Sequence, residues 1–327
     1  MANERTNESG PTRRGLLLGA ASGAAAAAGV LAASPAKAAG RASKRAEVFV
    51  LVHGANGSAG VWSGVAELLA ARGHLVFAVD LPGHGGEGWF PAAYQAPQDL
   101  DTLSTLVSPL NGVTPADNVA HVVEVVRRAA AHGPVVLVGQ SLGGVTITGV
   151  ADVVPHLVHR LVYLSAFCCT DPARPTLIEY YGTPEGQPSL VLRVPNIGNP
   201  DPAGGTGALR NNWRSADPAF FAAAKAAFLA DGTDDQMRVL LNSCQPDESI
   251  LMYYTPITPA AERWGRVRRT FIRLSEDRAI PLPMQDLMIA DADRLTPRNK
   301  FRVVTVESSH LNWIFHPDAV IGHLTTA

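Results

Sequence analysis

The chain has 327 residues, enough for one large domain or two small ones with a substantial core. Apolar residues make up 46% and charged residues 17%, with a net charge of −2, which excludes a disordered chain. There is no basic stripe, the histidines are scattered, and neither HExxH nor paired CxxC occurs. Nucleic acid, an anionic membrane surface, a metal and a cofactor are therefore not expected.

The first predicted element is a leader. In "PTRRGLLLGAASGAAAAAGVLAASPAKAAG", Arg13-Arg14 precede a weakly apolar Ala/Gly/Leu run and then small residues around Ala36-Lys37-Ala38. The pattern resembles a twin-arginine export signal cleaved after Ala38, over residues 1–38, and implies a secreted bacterial protein that folds before it leaves the cytoplasm. Gly15–Ala33 is nearly long enough to span a bilayer, but so many Ala and Gly residues make a poor span. Residues 39–46 read as a polar connector, followed by one domain over residues 47–327.

"EVFVLVHG" predicts a short buried strand, "VWSGVAELLAARG" a helix stopped at Gly73, and "HLVFAVDLPG" a second strand ended by Pro82 and Gly83. A Gly/Pro-rich loop follows. "PADNVAHVVEVVRRAAAHG" predicts a helix opened by Asp117 or Asn118 and closed by Gly133. "PVVLVG" is the next strand, "SLGGVTITGVADVVP" a helix stopped before Pro155, and "VHRLVYLSAF" another strand. Apolar strands alternating with helices predict an α/β fold with a mostly parallel central sheet covered on both faces.

The rhythm breaks over about residues 169–262, which are rich in Pro, Gly, Asn and aromatics around a helical patch "PAFFAAAKAAFLADG". This stretch reads as a cap insertion over the sheet. "VRRTFIRLS" and "KFRVVTVESS" resume the strands, and "HPDAVIGHLTTA" closes the chain as a helix. Three cysteines (Cys168, Cys169, Cys244) are too few for a disulfide scaffold. Cys244 could pair with either of the others, and buried free thiols are the expected state.

Gly139-Gln140-Ser141-Leu142-Gly143 meets the pattern G-x-S-x-G, and it sits between a Val/Leu strand and a helix, as a nucleophile elbow requires. A serine hydroxyl is a weak nucleophile and needs a base that is oriented by an acid, here in the chain order Ser, Asp or Glu, His. His310 is the histidine that follows the last strand. His316 and His323 fall on or beside the closing helix and read as solvated. For the acid, Glu276 and Asp277 end a strand before a proline-bounded loop, and Asp277, the shorter, is preferred. Asp286, Asp291 and Asp293 read as solvated helix carboxylates. The oxyanion hole needs two backbone N–H groups, those of Leu142 and, from the loop "VHGANGSAG", Ala55. His53 reads as a brace for that loop.

With these residues placed, the chain resembles the α/β-hydrolases of the plant methylesterase type, including salicylate-binding esterases, and the hydroxynitrile lyases. The matching pieces are "VFVLVHGANGSAGVW", "AVDLPGHG", "LVGQSLGG", "LVYLSAF", "RVRRTFIRLSEDRAIPLPMQ" and "VESSHL". The resemblance implies Ser141, Asp277 and His310 as nucleophile, acid and base, and Ala55 and Leu142 as oxyanion donors. Hydroxynitrile lyases carry a lysine after the catalytic histidine where this chain has Leu311, which weighs against lyase chemistry. Dehalogenases and epoxide hydrolases of this fold use an aspartate at the elbow. The expected function is a secreted serine hydrolase that cleaves a small to medium hydrophobic carboxylic ester or lactone without a cofactor. A receptor-like binding protein with little turnover, a lyase and an acyltransferase are the alternatives, and the sequence leaves oligomeric state open.

Overall fold

The computed structural model describes residues 46–326; the predicted export leader lies outside the described residues. Six parallel strands form the sheet: β1 Val48–Val52, β2 Leu75–Val79, β3 Val135–Ser141, β4 Val158–Ala166, β7 Arg268–Leu274 and β8 Arg302–Val306, in the order β2-β1-β3-β4-β7-β8. The remaining two, β5 Ala208–Arg210 and β6 Asp247–Ser249, pair antiparallel in the segment between β4 and β7. The sheet is the predicted α/β architecture.

In β1 the continuous apolar run divides by strand period. Val48, Val50 and Val52 pack against helices Pro115–Ala130 and Gly143–Val153, while Phe49 and Leu51 pack against helices Ser63–Ala71 and Asp318–Thr325. Every β1 residue is therefore buried. The edge strands differ: Leu75 on β2 and Val303 on β8 are solvent-exposed, because an edge has a covering element on only part of its surface.

Strand order places the site. The chain runs from β1 to β2 on one side and then to β3 on the other, so the direction of winding reverses at β1. At such a switch point the loops after adjacent carboxyl ends diverge and leave a crevice. Val52 is in register with Gly139, which puts the loop His53–Gly57 beside the turn at Ser141.

Two helix-end expectations are corrected. The helix Pro115–Ala130 is capped by Thr114, with Pro115 at its first position, where the missing N–H costs nothing; Asp117 returns to the Thr114 N–H at 2.8 Å in a capping box. The helix stops before Gly133, whose role is close approach: a Cβ there would lie 2.6 Å from the Ala46 carbonyl oxygen. In the helix Leu282–Leu295, Asp286 pairs with Arg273 at the surface as expected of a solvated group. Asp291 does not. It is buried and accepts hydrogen bonds from Arg174, Arg294 and the Tyr180 hydroxyl (2.8 Å), while Asp293 accepts the Phe301 N–H. Helical spacing does not reveal that an arginine 117 residues away reaches the inward face of this helix.

The segment between β4 and β7 contains the predicted helix, Pro218–Phe228, and a second, Asp234–Ser243. Its own apolar cluster includes Trp213, Phe220, Met237 and Leu240, and Leu311 and Phe315 from the β8 side pack against it. Inside this segment Arg210 donates to Asp247 through two bonds of 2.6 and 2.7 Å, with both residues buried. Cys168, Cys169 and Cys244 are free thiols, and burial pushes Cys168 up to about 12, which keeps it neutral. Among the described residues no helix is long and apolar enough to cross a membrane.

Candidate active site

β3 ends in a sharp turn at Ser141, whose φ is +52°, and the helix Gly143–Val153 begins two residues later. A side chain at Gly143 would place its Cβ 2.6 Å from the His53 carbonyl oxygen, and one at Gly139 would lie 2.7 Å from the Gly143 carbonyl oxygen. The flanking glycines are thus required by packing, and the turn holds the serine side chain clear of the backbone at the mouth of the crevice. Among the described residues only three non-glycine residues have positive φ: Asn56, Ser141 and Ser165. All three sit around this turn. Backbone strain of that kind persists only where the surroundings enforce it.

Asp277 lies in the loop after β7, and it is buried whereas its neighbour Glu276 is exposed. Its Oδ1 accepts the N–H groups of Ala279 and Ile280, both at 2.8 Å. Its Oδ2 accepts the Ser165 hydroxyl at 2.6 Å and lies 2.6 Å from His310 Nδ1. All of the carboxylate's acceptor capacity is occupied, so the ring is held in one orientation with its proton on Nδ1. His310 Nε2 is then an acceptor, and the Gln140 side-chain amide lies 3.1 Å from it. The His310 loop is held from the other side: the Leu311 N–H donates to the Phe228 carbonyl, and Trp313 Nε1 donates to that of His310. The structure therefore brings Ser141, Asp277 and His310 to one end of the sheet.

Ser165 and Gln140 were not singled out in the sequence. Ser165 is skipped in the register between β3 and β4, where Gln140 faces Leu164 and Ser141 faces Ala166. This bulge, with φ +37° at Ser165, turns its hydroxyl toward Asp277. A lone serine inside "LVYLSAF" was its only trace in the sequence.

The expected oxyanion donors, Ala55 and Leu142, line the same cavity as Ser141 and His310. Neither N–H has a protein acceptor among the described residues. The next amide along, Asn56, is occupied: its N–H donates to Glu248 Oε2 at 3.1 Å. His53 is the brace the sequence suggested. Its Nδ1 lies 2.7 Å from the Gly54 carbonyl oxygen and its Nε2 accepts the Leu81 N–H at 3.1 Å, which joins the β1 and β2 loops. Complete burial, reinforced by His84 nearby, lowers its pKa to about 4, so the ring is neutral. His84 behaves oppositely. Burial alone would lower its pKa, but the Glu248 carboxylate 3.2 Å from Nε2 outweighs that and raises it.

The cavity above Ser141 has a volume of about 280 Å³. Its walls are mainly apolar and aromatic, among them Leu177, Tyr181, Leu209, Trp213, Phe228 and Leu240, and among the described residues no lysine or arginine lines it.

A parallel sheet, a strained serine at its switch point and a buried Asp–His pair beside it define an α/β-hydrolase architecture. The chain matches the model of the alpha/beta hydrolase family over residues 49–323 and belongs to that family. It is 28% identical over 245 residues to norfluorocurarine synthase 2 of Strychnos sp, covering 74% of this chain and 82% of that one. With methylesterase 9 of Arabidopsis thaliana it shares 25% identity over 248 residues, 75% and 85% of the two chains. Its fold is similar to that of a pyrethroid hydrolase from Sphingobium faniae JZ-2, with a TM-score of 0.62 and 23% identity over 85% of this chain and 95% of the other.

Proposed function

We propose that the protein is a serine carboxylic-ester hydrolase that acts on a neutral, small to medium hydrophobic ester or lactone. The observation that carries this reading is the Asp277–His310 pair at 2.6 Å, facing a cavity that also contains Ser141 and two unoccupied backbone N–H groups. In this mechanism the Gln140 amide gives way at His310 Nε2 once substrate is bound, and Nε2 takes the Ser141 proton as Oγ attacks the carbonyl carbon. The carbonyl oxygen becomes an oxyanion that accepts from the Ala55 and Leu142 N–H groups. Collapse breaks the ester bond and His310 returns its proton to the leaving alcohol. Water then attacks the acyl-enzyme by the same route, and Asp277 stays ionised throughout, holding the imidazolium.

Homology to a methylesterase supports ester chemistry, and the apolar walls support a hydrophobic substrate. Among the described residues the cavity walls hold no lysine or arginine to receive an anionic leaving group, and Leu311 follows His310, so lyase chemistry is disfavoured. The test is turnover of p-nitrophenyl esters together with labelling by a fluorophosphonate probe. Ser141→Ala is expected to lose both, and retained turnover in that variant would overturn the assignment. We further propose export by the twin-arginine route, supported by Arg13-Arg14 and the apolar run behind them. N-terminal sequencing of secreted protein is expected to begin at Ala39, directly after Ala38; an intact Met1 in the membrane fraction would refute it.

A further inference from the structure

Glu248 belongs to the cap, 107 residues along the chain from the elbow serine, yet it bonds to the loop expected to supply an oxyanion donor. The main-chain N–H and carbonyl of Asn56 and its side-chain NH2 are all engaged by the cap segment Gln245–Glu248. The Asn56 N–H donates to Glu248 Oε2, its carbonyl accepts the Gln245 N–H at 3.0 Å, and its side-chain amide donates to the Gln245 and Pro246 carbonyls at 3.1 and 3.3 Å. Asn56 has φ at +56°, in the left-handed region that asparagine tolerates better than other non-glycine residues.

This arrangement occupies one of two successive amides that line the cavity. With the Asn56 N–H drawn toward Glu248, the neighbouring Ala55 N–H is the one left unoccupied beside Ser141. A buried, unpaired carboxylate against this loop would be costly and would oppose negative charge developing nearby. His84 supplies the neutralising partner: its Nε2 lies 3.2 Å from Glu248 Oε2, and both side chains are 2% exposed. The remaining Glu248 oxygen accepts the Ser249 N–H, so the carboxylate cannot rotate freely.

We propose that Glu248, paired with His84, is a positioning residue for the oxyanion hole, coupling the seating of the cap to transition-state stabilisation. The proposal rests on the hydrolase reading above. Glu248 touches no reacting atom; it acts through the Asn56 amide.

The experiment compares wild type, Glu248→Leu and Glu248→Gln with a p-nitrophenyl ester and a trifluoromethyl ketone inhibitor, which mimics the tetrahedral state. Glu248→Leu removes the acceptor, and kcat is expected to fall about 100-fold, the scale of a lost oxyanion donor, with KM within about twofold. Trifluoromethyl ketone affinity should fall by a similar factor. Glu248→Gln keeps an acceptor oxygen and should recover most of kcat, remaining about fivefold to tenfold below wild type because a charge-assisted bond has become a neutral one. If Glu248→Leu does not fold, that fivefold to tenfold loss at unchanged KM in Glu248→Gln carries the test. Native kcat in either variant, or a loss in KM with unaltered inhibitor affinity, overturns the proposal. A wild type that neither turns over ester nor labels with fluorophosphonate overturns the hydrolase reading and this proposal with it. An active wild type matched by its Glu248 variants overturns this proposal alone.

Discussion

The floor and the roof of the cavity are built on different interactions. The floor is the sheet end that carries Ser141, Asp277 and His310, and beneath it β1 and β3 bury almost nothing but Val, Leu and Phe. The roof, between β4 and β7, also buries apolar groups, but it is tied down by ions: Arg210 to Asp247 within it, and Glu248 to His84 across to the β2 loop. Aliphatic packing is non-directional and tolerates exchange of similar volumes, whereas a buried ion pair fails badly when one partner is removed. The same cavity thus has a floor whose aliphatic packing is insensitive to conservative change and a roof that hinges on a few charges. That division suits an enzyme whose chemistry is kept constant while its substrate contacts vary.

The comparison is most sharply tested on the floor. Asp277→Asn should leave folding nearly unaltered but lower kcat by about 10⁴-fold, because the amide favours the wrong imidazole tautomer. Steady-state kinetics beside a thermal melt check this, and a loss under tenfold would remove Asp277 from its role. The roof should respond the other way. Arg210→Met leaves Asp247 buried without its partner and should cost about 3–5 kcal/mol, read as a lower urea midpoint. Hydrogen exchange should rise in residues 208–249 before it rises in β1 or β3; uniform acceleration would mean that roof and floor are one cooperative unit.

Where Glu248 of the roof meets the β2 loop, His84 lies 4.9 Å ring to ring from His53, and the two histidines respond to pH with opposite sign. His53 has its pKa depressed to about 4 from 6.5, so the unfolded state binds the extra proton in that window. Stability should fall by about 3 kcal/mol as pH drops from 6.5 to 4. His84 is raised by Glu248 against the opposing effect of burial, so its contribution is complete below 6.5 and is lost as pH climbs through its folded value. Urea unfolding from pH 4 to 9 should give a maximum near the unperturbed histidine value. His53→Gln should flatten the acid limb alone, and an acid limb unchanged by it would discard this account. The smallest effect belongs to the rim. Tyr254, 55% exposed at the cavity edge, should contribute about 1 kcal/mol to an aryl ester, so that Tyr254→Ala raises KM about fivefold at constant kcat.

Much of the geometry of the floor was legible in advance, though not its chemistry. Ser141 could be read because a strand, a strained turn and a helix each leave a local pattern, and Asp277 and His310 follow their strands in a fixed order. Choosing Asp277 over Glu276 agrees with burial of the first and exposure of the second. Ser165 and Gln140 were missed because a bulge and a side-chain rotamer have no periodic signature. Asp291 was misread because its partners come from distant segments. The pairing of Glu248 with His84 and Asn56 was out of reach for the same reason: these residues are 164 and 192 positions apart.

By itself, then, the amino-acid sequence determined the alternation of strands and helices, the elbow and the chain order of Ser141, Asp277 and His310. Such features are set by backbone dihedrals, side-chain period and chain order over a few residues. Tertiary structure alone decided which backbone N–H beside Ser141 has no acceptor among the described residues, what holds Asp277, and which charges tie the roof to the floor. Those depend on contacts between segments far apart in the chain, where a buried polar group must find a partner whatever the distance along the sequence.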